Sequence, residues 1–339
     1  MKRVLTIIFL VLCLANYRAF AVKPFKTLEL SEFAPKASEC DGRWKVYTER
    51  SVWIDDENLV VWLYSTCASH DKQKRKSLSD LVFINSDGNG QVLQSADISL
   101  RFSRGPAGTA LVGHGATVDL VKPNLQVEQS IECPDNKVCA IFPSPSGSSE
   151  SDFALCSIVS PTEHCDLYKG LPAARLAEQR MDLPGPKVII PIDPYLNVAH
   201  PDWLSTLSKS YKVWRVSEKE LWYFDYHGTL TNMIVGRSTT PVSPVQWTPK
   251  NSYCTGEVSV DQPMRFLATC VGTHFYTDGE LDAIFGYSRI ALFDVTSKQI
   301  LAHIDGPAFT FAALSPDGRN IAVIHSERVK IRLMLYRVD

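Results

Sequence analysis

Two clusters in this chain carry residue types able to do chemistry. The first runs from Asp193-Pro194-Tyr195 to His200-Pro201-Asp202-Trp203, with Asp225 and His227 shortly after. Imidazole and carboxylate are ordinary ligands of divalent metals, so Asp193, His200, Asp225 and His227 could together hold an ion that activates water. The histidines lack the i, i+4 spacing of a helical ligand pair and sit among turn residues, which favours plain loop roles over a metal centre. The second cluster, His274-Phe275-Tyr276-Thr277-Asp278-Gly279-Glu280-Leu281-Asp282, sets His274, Tyr276 and Asp278 in one stretch, aromatics beside acids that would suit a sugar, a peptide or a cation. Nucleophilic catalysis finds no motif. Gly-x-Ser-x-Gly does not occur, and neither Gly105-Pro106-Ala107-Gly108 nor Gly113-His114-Gly115 has the spacing of a phosphate cradle. No catalytic residue and no cofactor is therefore expected, a divalent metal belonging only to the alternative enzymatic reading.

The elements that must position these loops are strands. Ala312-Ala313-Leu314-Ser315-Pro316-Asp317-Gly318-Arg319-Asn320-Ile321-Ala322-Val323-Ile324 reads as strand, tight turn, strand: Pro316 presets φ, Asp317 can bond the backbone ahead of it, and Gly318 accepts positive φ. Cys133-Pro134-Asp135-Asn136-Lys137-Val138-Cys139-Ala140-Ile141-Phe142 aligns on it without gaps, and Asp261 to Thr269 is a worn copy. Near the front, Arg43 to Tyr47 alternates in the two-residue period of a half-buried strand. Val52-Trp53-Ile54, Asp55-Asp56-Glu57-Asn58 and Leu59 to Leu63 then give strand, turn, strand, and Leu81 to Ile84 reaches the turn Asp87-Gly88-Asn89-Gly90. Ala110 to Val112 with Thr117 to Val121 makes a weaker unit, while Val188 to Ile192 and Glu220 to Asp225 belong to two more. Pro172 to Arg180 fits either a short helix or an outer strand. The turn copies are spaced by multiples of about 40 to 45 residues, the period of propeller blades. The expected fold is all-β, a single β-propeller of seven four-stranded blades, or six, over residues 43–339, with 22–42 as a lead segment. The N-terminal strand at Arg43 to Tyr47 is expected to complete the last blade and remove a free sheet edge. The tryptophans at 44, 53, 62 and 222 are expected in the core.

The Leu-Ser-Pro-Asp-Gly-Arg-x-Ile-Ala hairpin at Leu314 to Ala322 resembles the blade signature of WD40-like propellers of the periplasmic TolB type (PD40) and their secreted bacterial relatives. The chain departs from the eukaryotic repeat in lacking its Trp-Asp ending. The resemblance implies an architecture and carries no catalytic residues.

Met1-Lys2-Arg3, the apolar run Val4 to Ala15 and Ala19-Phe20-Ala21 make residues 1–21 a signal peptide, so the protein is expected to be secreted or periplasmic and without a membrane anchor after cleavage. Of the nine cysteines, Cys13 lies in that leader. An even number remains, read as disulfides in an oxidising compartment. Cys133 and Cys139, Cys156 and Cys165, and Cys254 and Cys270 each sit about equally either side of a turn signal, which predicts three hairpin staples with Cys40 and Cys67 as the fourth pair. A formal net charge of −2 with mixed signs lacks the footprint of a nucleic-acid binder. The dense basic run Lys72-Gln73-Lys74-Arg75-Lys76 is read as a solvated hairpin loop rather than an anionic docking patch. The sequence favours a monomeric, non-enzymatic exported propeller that binds a protein, a peptide or a glycan. The alternative is a hydrolase, lyase or lactonase with a channel metal.

Overall fold

The computed structural model describes residues 22–34, 43–68, 77–95, 101–143, 152–159, 162–182, 210–217, 220–225, 229–234, 237–238, 252–259, 265–272, 287–307, 309–326 and 330–338. Strand β1 (Lys26–Glu29) comes first in the chain. The first complete sheet is β2 (Arg43–Trp53), β3 (Asn58–Ala68), β4 (Ser77–Asn85) and β5 (Gly90–Ser95). The second is β6 (Arg101–Arg104), β7 (Ala110–His114), β8 (Thr117–Val121) and β9 (Val127–Glu132). The third is β10 (Cys139–Pro143), β11 (Phe153–Val159), β12 (Thr162–Lys169) and β13 (Ala174–Asp182), and the fourth is β14 (Ser210–Ser217), β15 (Glu220–Asp225), β16 (Leu230–Ile234) and β17 (Arg237–Ser238). The fifth is β18 (Ser252–Val258), β19 (Arg265–Gly272), β20 (Tyr287–Asp294) and β21 (Gln299–Pro307). The sixth combines β22 (Phe309–Leu314), β23 (Asn320–Ser326) and β24 (Ile331–Arg337) with β1 on its outer edge. Every pairing is antiparallel, so the described residues form six four-stranded antiparallel sheets that fit propeller blades. Val188 to Ile192, expected to belong to a further unit, lies outside the described residues.

Apolar clusters join successive sheets. Trp62, Leu81 and Phe83 of the first meet Phe102 and Val112 of the second. Leu111, Leu120 and Ile131 of the second meet Phe153, Leu155 and Tyr168 of the third. Trp222 and Phe224 of the fourth meet Phe266 and Ala268 of the fifth, and Leu267, Ile290 and Leu292 of the fifth meet Leu314, Ile321 and Val323 of the sixth. Trp53, Leu59 and Leu63 of the first also meet Ala322, Ile324 and Leu333 of the sixth. At these joints the facing surfaces are therefore apolar, and each fully buried Leu, Ile, Val or Phe adds about 1.5–3 kcal/mol relative to exposure. The first strands also lie against one another: β2 on β6, β6 on β10, β14 on β18, β18 on β22, and β22 on β2.

The Ser315 to Arg319 turn forms as its residues dictate. The Ser315 carbonyl accepts from Gly318 N–H at 2.9 Å, Gly318 has φ 70°, and the Asp317 carboxylate accepts from Arg319 N–H at 2.9 Å. Both neighbouring sheets grip it. Ser259 donates to the Pro316 carbonyl and Arg265 to the Gly318 carbonyl on one side, while Asp56 accepts from Asp317 N–H on the other. The unpaired edge of β22 is closed in the same way, with Leu314 N–H donating to Glu257 Oε2 at 2.9 Å and Trp53 Nε1–H donating to the Ala313 carbonyl at 3.2 Å.

Two expectations need correction. Arg43 to Tyr47 does not complete the last sheet. It continues through a bulge between Thr48 and Arg50 to Trp53 and pairs with β3 all along its length, leaving Lys26–Glu29 as the outer strand beside β24. The Cys133–Cys139 bridge is present, but it spans the link from β9 to β10, between two sheets rather than across a hairpin. Its gapless alignment on the Ser315 turn therefore reflects shared turn chemistry, not a shared place in the blade. Of the two readings of Pro172 to Arg180, the outer strand is the one observed, since Ala174–Asp182 is the outer strand of the third sheet.

Cys156–Cys165 and Cys254–Cys270 are true cross-strand staples, each joining register partners with Cα atoms 4.0 and 4.1 Å apart. Cys67 is also disulfide-bonded, and Cys40 lies outside the described residues. In the chain-entropy account, closing loops of 9 and 16 residues limits the unfolded chain by about 2.5–3 kcal/mol each. Thiol titration of denatured, unreduced protein should find none of these cysteines reactive, and replacing both Cys254 and Cys270 with Ala should lower the denaturant midpoint accordingly. An unchanged midpoint would remove the stabilising role.

Candidate ligand-binding surface

Most residues proposed from sequence for binding, Asp193, Tyr195, His200, Asp202, Trp203, His227, His274, Tyr276 and Asp278, lie outside the described residues. Asp225 is the last residue of β15, where its backbone pairs with Ser210. Among the described residues, no group of three or more His, Cys, Asp or Glu is placed to hold a metal ion.

A different surface emerges on the first sheet. Register places Lys45, Tyr47, Arg50 and Val52 of β2 opposite Thr66, Tyr64, Trp62 and Val60 of β3, and these oppose Ser77, Ser79, Leu81 and Phe83 of β4. That single face is apolar at one end, where Val60, Leu81 and Phe83 pack in the joint with the second sheet. Toward the other end it turns aromatic and basic. Tyr47 is 36% exposed and stacks on Tyr64 with centroids 4.9 Å apart and planes 18° from parallel. Tyr64 in turn lies 5.5 Å from Trp62, tilted by 32°. Lys45 and Arg50 are exposed beside the stack, and the Arg50 guanidinium carbon sits 5.2 Å from the Phe102 ring centroid across the joint. Trp62 Nε1 is buried with no hydrogen-bond partner among the described residues. The facing wall carries Asp119, which accepts from Ser130 Oγ at 2.6 Å and has His114 Nε2 3.7 Å away.

This surface went unnoticed in the sequence because two-residue alternation alone would put Tyr47 and Arg50 on opposite faces. The bulge inserts one residue between Thr48 and Arg50 and brings them together, while turning Trp53 inward against the sixth sheet. Trp53 is buried as expected and so is Trp222, whereas Trp62 is only partly covered.

The chain is similar to propellers. A member of the duf4221 family from Bacteroides vulgatus aligns over 94% of this chain and 98% of its own at 9% identity and TM-score 0.43. The C-terminal WD40 domain of Sif2 aligns over 94% and 99% at 9% identity and TM-score 0.40, and the WD40 beta propeller domain of Doa1 over 94% and 97% at 10% identity and TM-score 0.37. No protein-family model matches, and neither does any curated protein. At these values the likeness carries no functional argument, and the reading of the fold rests on this chain's own strand pairing.

One titrating group bears on stability. His303 of β21 is held below its ordinary value of 6.5, chiefly by burial, with Asp305 pulling the other way and Arg289 adding to the depression. The unfolded chain therefore takes up this proton at a higher pH than the folded protein does. The contribution is complete above the ordinary imidazole value and is lost as pH falls below it. His303→Gln should flatten the decline in melting temperature between about pH 7 and 5, and an unchanged slope would show that His303 plays no part.

Proposed function

We propose that this protein is an exported binding scaffold, a ring of four-stranded blades that offers a rigid surface to a glycan, a peptide or a protein. The observation that carries this reading is the Tyr47–Tyr64 stack: a large exposed ring fixed on strand backbone beside two exposed cations costs little ordering on binding. The contact of β22 with β2 and the pairing of β1 with β24 support closure of the ring. The gripped Ser315 to Arg319 turn supports the TolB-type reading of the blade. The bridges Cys133–Cys139, Cys156–Cys165 and Cys254–Cys270, together with the absence among the described residues of a helix long and apolar enough to cross a membrane, are compatible with export. No nucleic-acid partner and no resident cofactor enter this proposal, and the chain acts as a monomer.

The test is a binding screen of the purified protein against glycan and peptide arrays, run beside metal analysis. Saturable binding without turnover and without response to chelator is the expected result. A stoichiometric, chelator-removable divalent ion that supports turnover would overturn the scaffold reading in favour of the enzyme.

A further inference from the structure

We propose that Asn89 is a site of spontaneous chemical modification: the Gly90 backbone nitrogen attacks it, aspartate and isoaspartate result, and the isoaspartate form loosens the N-terminal segment from the first sheet. Asn89-Gly90 is the single Asn-Gly pair of the sequence. It ends the turn between β4 and β5, in which Gly88 has φ 86° and its N–H donates to the Asn85 carbonyl at 2.8 Å. Asn85 N–H donates to the Asn89 carbonyl at 3.0 Å, so Asn85 and Asn89 form a hydrogen-bonded pair. The next pair, Ile84 with Gly90, is then one whose N–H groups point away from each other. Gly90 N–H therefore faces the side of β5 that no strand of its sheet covers, β5 being the outer one. Asn89 is exposed. By contrast, the side-chain amides of Asn58, Asn85, Asn124 and Asn320 are engaged by Asp55, Asn89 N–H, Gln126 N–H and the Asp56 carbonyl. Asp87 also precedes a glycine, but the Gly88 nitrogen is tied up in its bond to Asn85.

Once its proton is lost, the Gly90 nitrogen bonds to Asn89 Cγ, the Cγ–Nδ2 bond breaks, and Nδ2 leaves as ammonia carrying that proton. Water then opens the cyclic imide at either carbonyl, giving aspartate or isoaspartate without any change of oxidation state. The rotation of Asn89 that brings Cγ to the nitrogen breaks one turn bond, from Asn85 N–H, at the exposed end of a hairpin where local opening is easiest. Isoaspartate puts an extra carbon into the main chain immediately before Gly90. There is no slack to take it up: a Cβ on Gly90 would lie 2.6 Å from Phe33 Cε1, and one on Gly88 2.8 Å from Leu28 Cδ2. Leu28 and Phe33 flank Leu30, which seals the joint between the sixth and first sheets, so a shifted turn unseats the segment that carries all three.

The test ages the purified wild-type protein in mildly alkaline buffer, with and without denaturant, and follows intact mass, peptide maps and labelling by an isoaspartate-specific methyltransferase. The folded protein is expected to gain the mass of one deamidation, at Asn89 ahead of every other asparagine, faster than in mildly acidic buffer, and to take the methyl label there. Asn89→Ser should lose both signals, and the wild-type time course stands by itself if that variant does not fold. A folded protein that gains no mass at Asn89 while the denatured chain does, or that reacts first at another asparagine, would overturn the site. The deamidated fraction, separated by charge, is then melted beside Asn89→Asp, which carries the new carboxylate on an unaltered main chain. The fraction containing isoaspartate should melt a few degrees lower than Asn89→Asp. Equal melting would show that the N-terminal segment keeps its seat and sink the second half of the proposal.

Discussion

Trp53→Ala is expected to destabilise the protein by about 3–5 kcal/mol, the range for deleting a large aromatic from a packed core. Trp53 is 2% exposed, packs with Leu59 and Leu63 against Ala322, Ile324 and Leu333, and donates its indole N–H to the Ala313 carbonyl. Both contributions sit at the contact between the first and the sixth sheets, so the loss falls on the place where β22 meets β2. Trp53→Phe separates them: it keeps a ring in the cluster, removes the donor, and should cost less, with the bond itself worth about 0.5–1.5 kcal/mol. Denaturant melts read both variants. Equal midpoints for wild type and Trp53→Ala would mean that this joint does not limit stability.

Removing residues 22–34 is expected to have a larger effect still. Leu30 is fully buried in the cluster between the sixth and first sheets, Leu28 packs against it, and Lys26 to Glu29 pair in register with Leu335 to Arg332. Losing Leu30 alone should cost about 2–5 kcal/mol. The truncation also bares β24, a regular strand with apolar side chains and unpaired backbone groups, which invites pairing with other chains. The truncated protein should therefore melt lower and aggregate, and a synthetic 22–34 peptide added in excess should restore a soluble monomer. A truncated chain that stays monomeric with an unchanged melting curve would show β1 to be dispensable.

Much of this architecture was legible before any coordinates. The Pro-Asp-Gly turn at 316–318 announced itself because each residue has a local reason to be there. Cys156 with Cys165 and Cys254 with Cys270 were readable because equal distance from a turn means opposition across two strands. What stayed hidden depended on contacts far along the chain. Lys26 to Glu29 is too short and too polar to read as a strand, and becomes one because β24, roughly three hundred residues later, needs an outer partner. Cys133-Pro134-Asp135-Asn136 has the same turn chemistry as the Ser315 hairpin and yet links two sheets, since turn residues specify a reversal and not which strands it separates. The Tyr47 surface depended on a one-residue bulge that leaves no mark in composition.

Val22 packs in the same cluster as Val338, and Phe25 N–H bonds the Leu335 carbonyl. Val22 and the end of β24 are thus next-door neighbours, and a short peptide could join them. The gene could then be reopened at another exposed link, such as the β8–β9 turn at Asn124 to Gln126, giving a permuted chain with the same sheets and its new ends on the second sheet. Such a permutant would carry a fused tag or a surface tether on the second sheet instead of the sixth.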